Sequence, residues 1–381
     1  MDSISRTRPK TADRTGRRTT GCCSWIILFT IVTAAQAAIP DPSPDLVARG
    51  AYLAKVADCA GCHTAGPGHP PFAGGLAISS PFGPIYSTNI TPDPVFGIGN
   101  YSYEDFSRAL REGIAKGERR LYPAMPYPSF AAISDGDVQA LYAYFMKGVK
   151  AVSQRPSQQT ALPFPFNQRW VFRFWNAAFV NSGRYQPNTD HNTKWNRGAY
   201  LVQALGHCGA CHTPRGFAFQ EKAYSESSPE YLSGAVIDNW FAGNLTGDRA
   251  SGLGRWTEAE ISEFLQTGHN GHTVAFGSMV LVIENGTQHL QREDLDAIAH
   301  YLKSLGAKQG KSSFVPREAS ISKIQIGFPI ETFERPGEGV YAGFCAKCHH
   351  ANGTGKAPEI PRLAGSPMVL SENASSLIRL M

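Results

Sequence analysis

A chain of 381 residues with 42% hydrophobic and 18% charged residues has room for two or three globular cores, which excludes a protein disordered throughout. Its 38 Gly and 26 Pro point to long loops between short elements. The formal charge of +5 is concentrated in residues 1–37, which carry +4, so the remainder is near neutral and gives no electrostatic case for nucleic acid.

In chain order, the basic start is followed by the apolar run Trp25–Ala35 and by Ala35-Gln36-Ala37, a small-x-small cleavage pattern. The run is shorter than the roughly 20 apolar residues that span a bilayer, so residues 1–37 read as a secretory signal peptide and the protein as exported. Residues 42–150 form a first predicted domain. It holds Gly50-Ala51-Tyr52, then Cys59-Ala60-Gly61-Cys62-His63, then a helix begun by the capping-box pair Ser102 and Asp105. Met125 follows in the proline-stiffened loop Tyr122-Pro123-Ala124-Met125-Pro126, and a helix over Asp137–Lys147 closes the unit.

Residues 151–190, rich in Pro, Gln, Asn and aromatics, read as a linker that packs on the surface. Residues 191–306 repeat the first pattern: Gly198-Ala199-Tyr200, Cys208-Gly209-Ala210-Cys211-His212, the capping pair Thr257 and Glu260, Met279, and a closing helix over Glu293–Ser304. Residues 307–330 read as a second linker. A third unit, 331–381, holds Gly339-Val340-Tyr341 and Cys345-Ala346-Lys347-Cys348-His349. The first apolar residue of its capped helix, matching Phe106 and Ile261, is expected to be Leu377, which puts the matching methionine beyond residue 381 and makes this domain incomplete. Strand-like alternation is scarce, so the expected class is all-α: tandem domains with long loops, the third truncated.

Cys-x-x-Cys-His is the attachment signature of c-type haem. Two thiols three residues apart on one helical turn share a face and can bond the two vinyl groups of a porphyrin, and the adjacent histidine reaches the iron. The pattern occurs three times, so Cys59, Cys62, Cys208, Cys211, Cys345 and Cys348 are assigned to three covalent haems and His63, His212 and His349 to their irons. A thiol redox pair has no need of the trailing histidine, and a zinc site needs further Cys or His ligands in pairs. Among six methionines, Met125 and Met279 recur at the same place in two repeats and are assigned as sixth ligands, an arrangement that raises the reduction potential. His69, His191, His207, His269, His272, His300 and His350 read as surface or packing residues, and no catalytic constellation or nucleotide motif is visible.

With Pro71-Phe72-Ala73-Gly74-Gly75, Tyr86-Ser87-Thr88-Asn89-Ile90-Thr91-Pro92-Asp93, the Met125 loop, Trp195–Val202, Gly206–Gly216 and Phe276-Gly277-Ser278-Met279, the chain resembles the three-haem cytochrome c subunit of bacterial membrane-bound alcohol, gluconate and sugar dehydrogenases. The resemblance implies tandem cytochrome c domains. It also implies a catalytic partner subunit, a flavoprotein or a quinoprotein, that supplies electrons, ubiquinone as the acceptor, and a place on the periplasmic side of the inner membrane, with the membrane surface as a further contact. Two rivals are a stand-alone periplasmic electron carrier and a multihaem peroxidase-like enzyme; the latter needs an open sixth position, which ligation by Met125 and Met279 denies it.

Overall fold

The computed structural model describes residues 42–307 and 337–381. The signal peptide, with Cys22 and Cys23, and nearly all of the second linker lie outside the described residues. Every described residue falls in one compact unit, Pro42–Met381.

The first helix, Pro44–Val56, starts where sequence dictates: Ser43 accepts from the Leu46 amide at 3.2 Å and Pro44 occupies the first turn. It packs against Asp135–Ala143, which passes into a wider π turn at Tyr144–Gly148. In the second repeat, helix Thr193–Tyr200, capped by Asn192, packs in the same way on Arg292–Ser304. The Gly-x-Tyr repeat now has a cause. A Cβ on Gly50 would lie 1.9 Å from the Ala140 carbonyl oxygen, and one on Gly198 would lie 2.0 Å from that of Ala297. Only glycine lets these helix pairs cross so closely.

The two expected capping boxes are present. Ser102 and Asp105 bond reciprocally ahead of helix Tyr103–Glu112, as do Thr257 and Glu260 ahead of Glu258–Thr267. Leu53, Val138, Leu141 and Phe145 of the first repeat join Leu201, Leu205, Leu295 and Leu302 of the second in one continuous core.

Among the described residues three hairpins depart from the all-helical expectation: Ala77–Ile78 with Ile85–Tyr86, Ile114–Ala115 with Arg119–Arg120, and Ala235–Ile237 with Trp240–Ala242. Strands of two or three residues are too short to display a period of two, so periodicity does not detect them. The protein is therefore mainly helical with small two-stranded sheets.

The two repeats also exchange contacts. Tyr200 of the second donates to Asp137 Oδ2 of the first at 2.6 Å, and Tyr52 of the first donates to Asp294 Oδ2 of the second at 2.6 Å. Each carboxylate is also held by an arginine of its own repeat, Arg49 on Asp137 and Arg197 on Asp294. The third segment leans on the second repeat's hairpin. Ser376 Oγ accepts from the Phe241 amide at 2.7 Å, Arg379 donates to the Asp238 carbonyl at 2.8 Å, and Arg379 covers the Trp240 ring.

Candidate haem-binding sites

Cys59–His63 is a single helical turn, entered through Asp58 in the left-handed region (φ 46°), whose carboxylate accepts from the Gly61 amide. The turn places Cys59 and Cys62 on one side and aims His63 along the same wall. His63 Nδ1 lies 2.7 Å from the Thr88 carbonyl. A carbonyl can only accept, so Nδ1 carries the proton and Nε2 is left as a metal-binding lone pair. The same bond recurs twice more: His212 Nδ1 to the Gly243 carbonyl at 2.6 Å and His349 Nδ1 to the Pro361 carbonyl at 2.8 Å. The loop after each histidine returns to it, with Gly74, Gly234 and Gly355 donating to the His63, His212 and His349 carbonyls at 2.7, 2.8 and 3.0 Å.

A cavity of about 450 Å³ lies beside the first turn. Cys59, Cys62 and His63 line it together with Met125, and Ile85, Phe106 and Leu110 are among its apolar walls. Met125 is held by the proline loop: its amide donates to the Tyr122 carbonyl and its carbonyl accepts from Tyr127. Arg119, Arg155 and Arg169 also reach the cavity, where cations can neutralise carboxylates. Two thiols at one edge, an imidazole lone pair, a thioether and an arginine-bordered apolar slot are the donor set and shape that a haem requires. The residues fit the group.

The second motif repeats the histidine arrangement. Met279 is the second residue of helix Ser278–Asn285, whose N-cap is Gly277, where a Cβ would lie 2.7 Å from the Trp240 ring. Trp240 belongs to the hairpin that runs on to Gly243, so Met279 and the carbonyl that orients His212 are tied to one element. In the third segment Met368 sits in the short helix Pro367–Leu370 and Met381 is exposed.

Electrostatics favours neutral donors. Burial lowers the pKa of His63 and His212, keeping both imidazoles unprotonated. Burial, then Asp58, then Cys211 pushes the Cys62 thiol up to about 12. A thiol redox pair needs the opposite shift, toward thiolate. Among the described residues no three His, Cys, Asp or Glu side chains converge as a zinc site demands.

Several residues of the first cavity carried no sequence signal. His207, read only as a surface or packing residue, is half-buried, stands edge-on to Phe130 and lines the first repeat's cavity although it precedes Cys208 of the second motif. Asp58 occupies the matching place before Cys59, and burial raises its carboxyl to about 7. Asp58 and His207 adopt positive φ, 46° and 37° respectively, which no local pattern announces. Arg155 and Arg169 come from the linker, which forms part of the cavity wall as well as packing on the surface.

No family model matches the chain. It is 45% identical over 364 residues to the gluconate 2-dehydrogenase cytochrome c subunit of Pantoea cypripedii, covering 93% of this chain and 81% of that one. It is 47% identical over 353 residues to the cytochrome c subunit of the alcohol dehydrogenase (quinone) of Gluconacetobacter polyoxogenes, covering 91% and 74%. With the fructose dehydrogenase cytochrome subunit of Gluconobacter japonicus it shares 42% over 344 residues, covering 87% and 70%.

Proposed function

The chain belongs to the cytochrome c subunits of bacterial membrane-bound alcohol, gluconate and fructose dehydrogenases, and from its electron-transfer role in such a complex we propose that it is a three-haem relay. Its cytochrome domains are 42–150, 191–306 and 331–381, joined by linkers at 151–190 and 307–330. The haems supply one-electron iron chemistry, with potentials set by the axial ligands.

The chain's residues supply the rest. Each cysteine pair would bond one edge of a porphyrin. His63, His212 and His349 would present Nε2 to iron, because a backbone carbonyl occupies each Nδ1. Met125, which lines the first slot, and Met279 would supply the sixth donors of the first two haems, and Arg119, Arg155 and Arg169 border that slot. Electrons enter from a catalytic subunit, a flavoprotein or quinoprotein on which the alcohol or sugar is oxidised, and leave to ubiquinone. The chain works on the periplasmic side of the inner membrane after export.

The observation that carries this reading is the threefold recurrence of the histidine-to-carbonyl bond, since a structural Cys-x-x-Cys turn has no need to orient a neighbouring imidazole. Met125→Ala tests it. The variant should keep the full haem content, lower one haem potential by on the order of 100 mV, and open that haem to carbon monoxide. An unchanged potential together with an unchanged carbon monoxide difference spectrum rejects the Met125 assignment.

A further inference from the structure

We propose that residues 163–180, together with Phe82, Phe217 and Phe219, form the face by which this chain lies on an anionic lipid bilayer; the proposal rests on the membrane-bound dehydrogenase reading and assigns the contact to a surface. Helix Phe172–Phe179 carries four aromatic rings in eight residues, yet none of its residues is buried. Phe217 is 92% exposed, Phe164 79%, Phe174 62% and Trp170 61%. A soluble surface scatters such side chains singly. Here they touch ring to ring. Phe166 stacks on Phe82 at 3.6 Å, Phe82 meets Phe219 at 5.2 Å, Phe217 meets Phe179 at 6.3 Å, Phe179 meets Trp175 at 5.3 Å, and Trp170 meets Phe174 at 6.2 Å.

The patch is held in shape from beneath. Trp175 Nε1 donates to the Ala218 carbonyl at 2.9 Å, and Asn176 accepts from Tyr127 at 2.8 Å while donating to the Glu112 carbonyl at 2.6 Å. The rings are therefore presented at little further cost in ordering.

Charge decides which partner fits. From Ala151 to Thr189 the sequence contains no Asp or Glu, whereas Arg155, Arg169, Arg173 and Arg184 fall within it, the last of them paired with Asp135 at 3.2 Å. Arg173 sits over Phe174, and Arg169 covers Tyr122 and donates to the carbonyl of Arg120, drawing the Arg119–Arg120 strand to the same segment. Aromatic and arginine side chains also populate protein interfaces, where charges of both signs are usual. A segment whose own charges are all positive, with Trp and Phe beside arginines that can reach headgroups, matches the interfacial zone of an anionic bilayer. No helix of the described residues is long and apolar enough to cross a membrane, which leaves a surface contact for these residues. Arg155 and Arg169 also wall the first haem cavity, so docking brings that cavity beside the lipid phase in which a quinone dissolves.

Sedimentation of the haem-loaded full chain with phosphatidylcholine vesicles, and with vesicles containing phosphatidylglycerol, tests the proposal. Binding should favour the anionic vesicles and weaken several-fold as salt rises. Arg173→Gln should weaken it by about five-fold, and the pair Trp170→Ser with Phe174→Ser by about ten-fold or more, with thermal melts unchanged because these side chains are exposed. Equal binding by parent and variants overturns the proposal, as does absence of vesicle binding by the parent. So does a result in which the variants bind vesicles normally but no longer co-purify with the catalytic subunit, which would give the face to that subunit. Haem content and chemical reduction of the same samples report separately on the cytochrome reading, which fails only if the haem is missing.

Discussion

The reciprocal tyrosine contacts between the repeats make an asymmetric prediction. Tyr200 donates to Asp137 Oδ2 at 2.6 Å, whereas both Arg49 donors go to Oδ1. Asp137 is nearly sealed from solvent, its side chain 3% exposed. Removing the Tyr200 hydroxyl therefore strips Oδ2 of the partner the structure gives it, and the Ser134 amide loses its acceptor at 3.1 Å. Tyr52 also donates to a carboxylate oxygen, but Asp294 Oδ2 keeps Arg197 Nη2 at 2.7 Å when that hydroxyl goes. Burial, then the neighbouring carboxylate, raises both phenols, so each hydroxyl remains a donor throughout the ordinary pH range. A bond to a charged acceptor left unsatisfied costs about 2–3 kcal/mol, and one whose acceptor retains another donor about 1 kcal/mol or less. Tyr200→Phe should thus destabilise by about 1–2 kcal/mol more than Tyr52→Phe. Urea titrations followed by the Soret band and by far-ultraviolet circular dichroism measure this directly, provided the slopes stay equal. If Tyr52→Phe proves as damaging as Tyr200→Phe, the argument from carboxylate occupancy is wrong.

Two further outcomes follow from the same packing. Gly198→Ala drives a methyl to 2.0 Å from the Ala297 carbonyl and should cost about 3 kcal/mol, whereas nothing lies within 4 Å of a Cβ on Gly136, so Gly136→Ala should be neutral or slightly stabilising in the same melts. Glu221 is buried, one of its carboxylate oxygens has no hydrogen-bond partner, and burial raises its carboxyl from 4.5 to about 7 against a smaller lowering by Arg215. Below about pH 4.5 both folded and unfolded chains hold this proton; between there and pH 7 only the folded chain does, so stability falls with rising pH by up to about 3 kcal/mol and then levels. Glu221→Gln should flatten that slope in thermal melts from pH 4.5 to 8, and an unaltered slope would place the titration elsewhere.

What could be read from sequence was the chemistry that imposes a linear spacing. Covalent attachment forces two cysteines and a histidine onto one turn, so the three motifs are visible wherever they lie. Capping boxes are equally local, and Ser102 and Thr257 bond as their spacing requires. The carbonyls of Thr88, Gly243 and Pro361, which orient the three histidines, left no trace because a backbone oxygen has no side-chain signature. The hairpins escaped for want of length. Arg155 and Arg169 escaped because a linker's composition says nothing about which cavity it borders.

The deeper limit lies in the repeat itself. Gly50-Ala51-Tyr52 and Gly198-Ala199-Tyr200 mark equivalent helices, and the structure accounts for their glycines through the helix crossing within each repeat. Their tyrosines do something else: each bonds the acid that the other repeat's arginine holds. A tandem repeat reads the same whether a side chain meets its own unit or its neighbour, since both partners recur at identical intervals. His207 obeys the same logic, sitting in the second motif by sequence and in the first cavity by structure. The pairing of the first two units is thus encoded by residues whose local pattern advertises only a single unit. For this reason substitutions at Tyr52, Tyr200 or His207 act on the junction between two electron-carrying sites, although by sequence each belongs to the lead-in of only one.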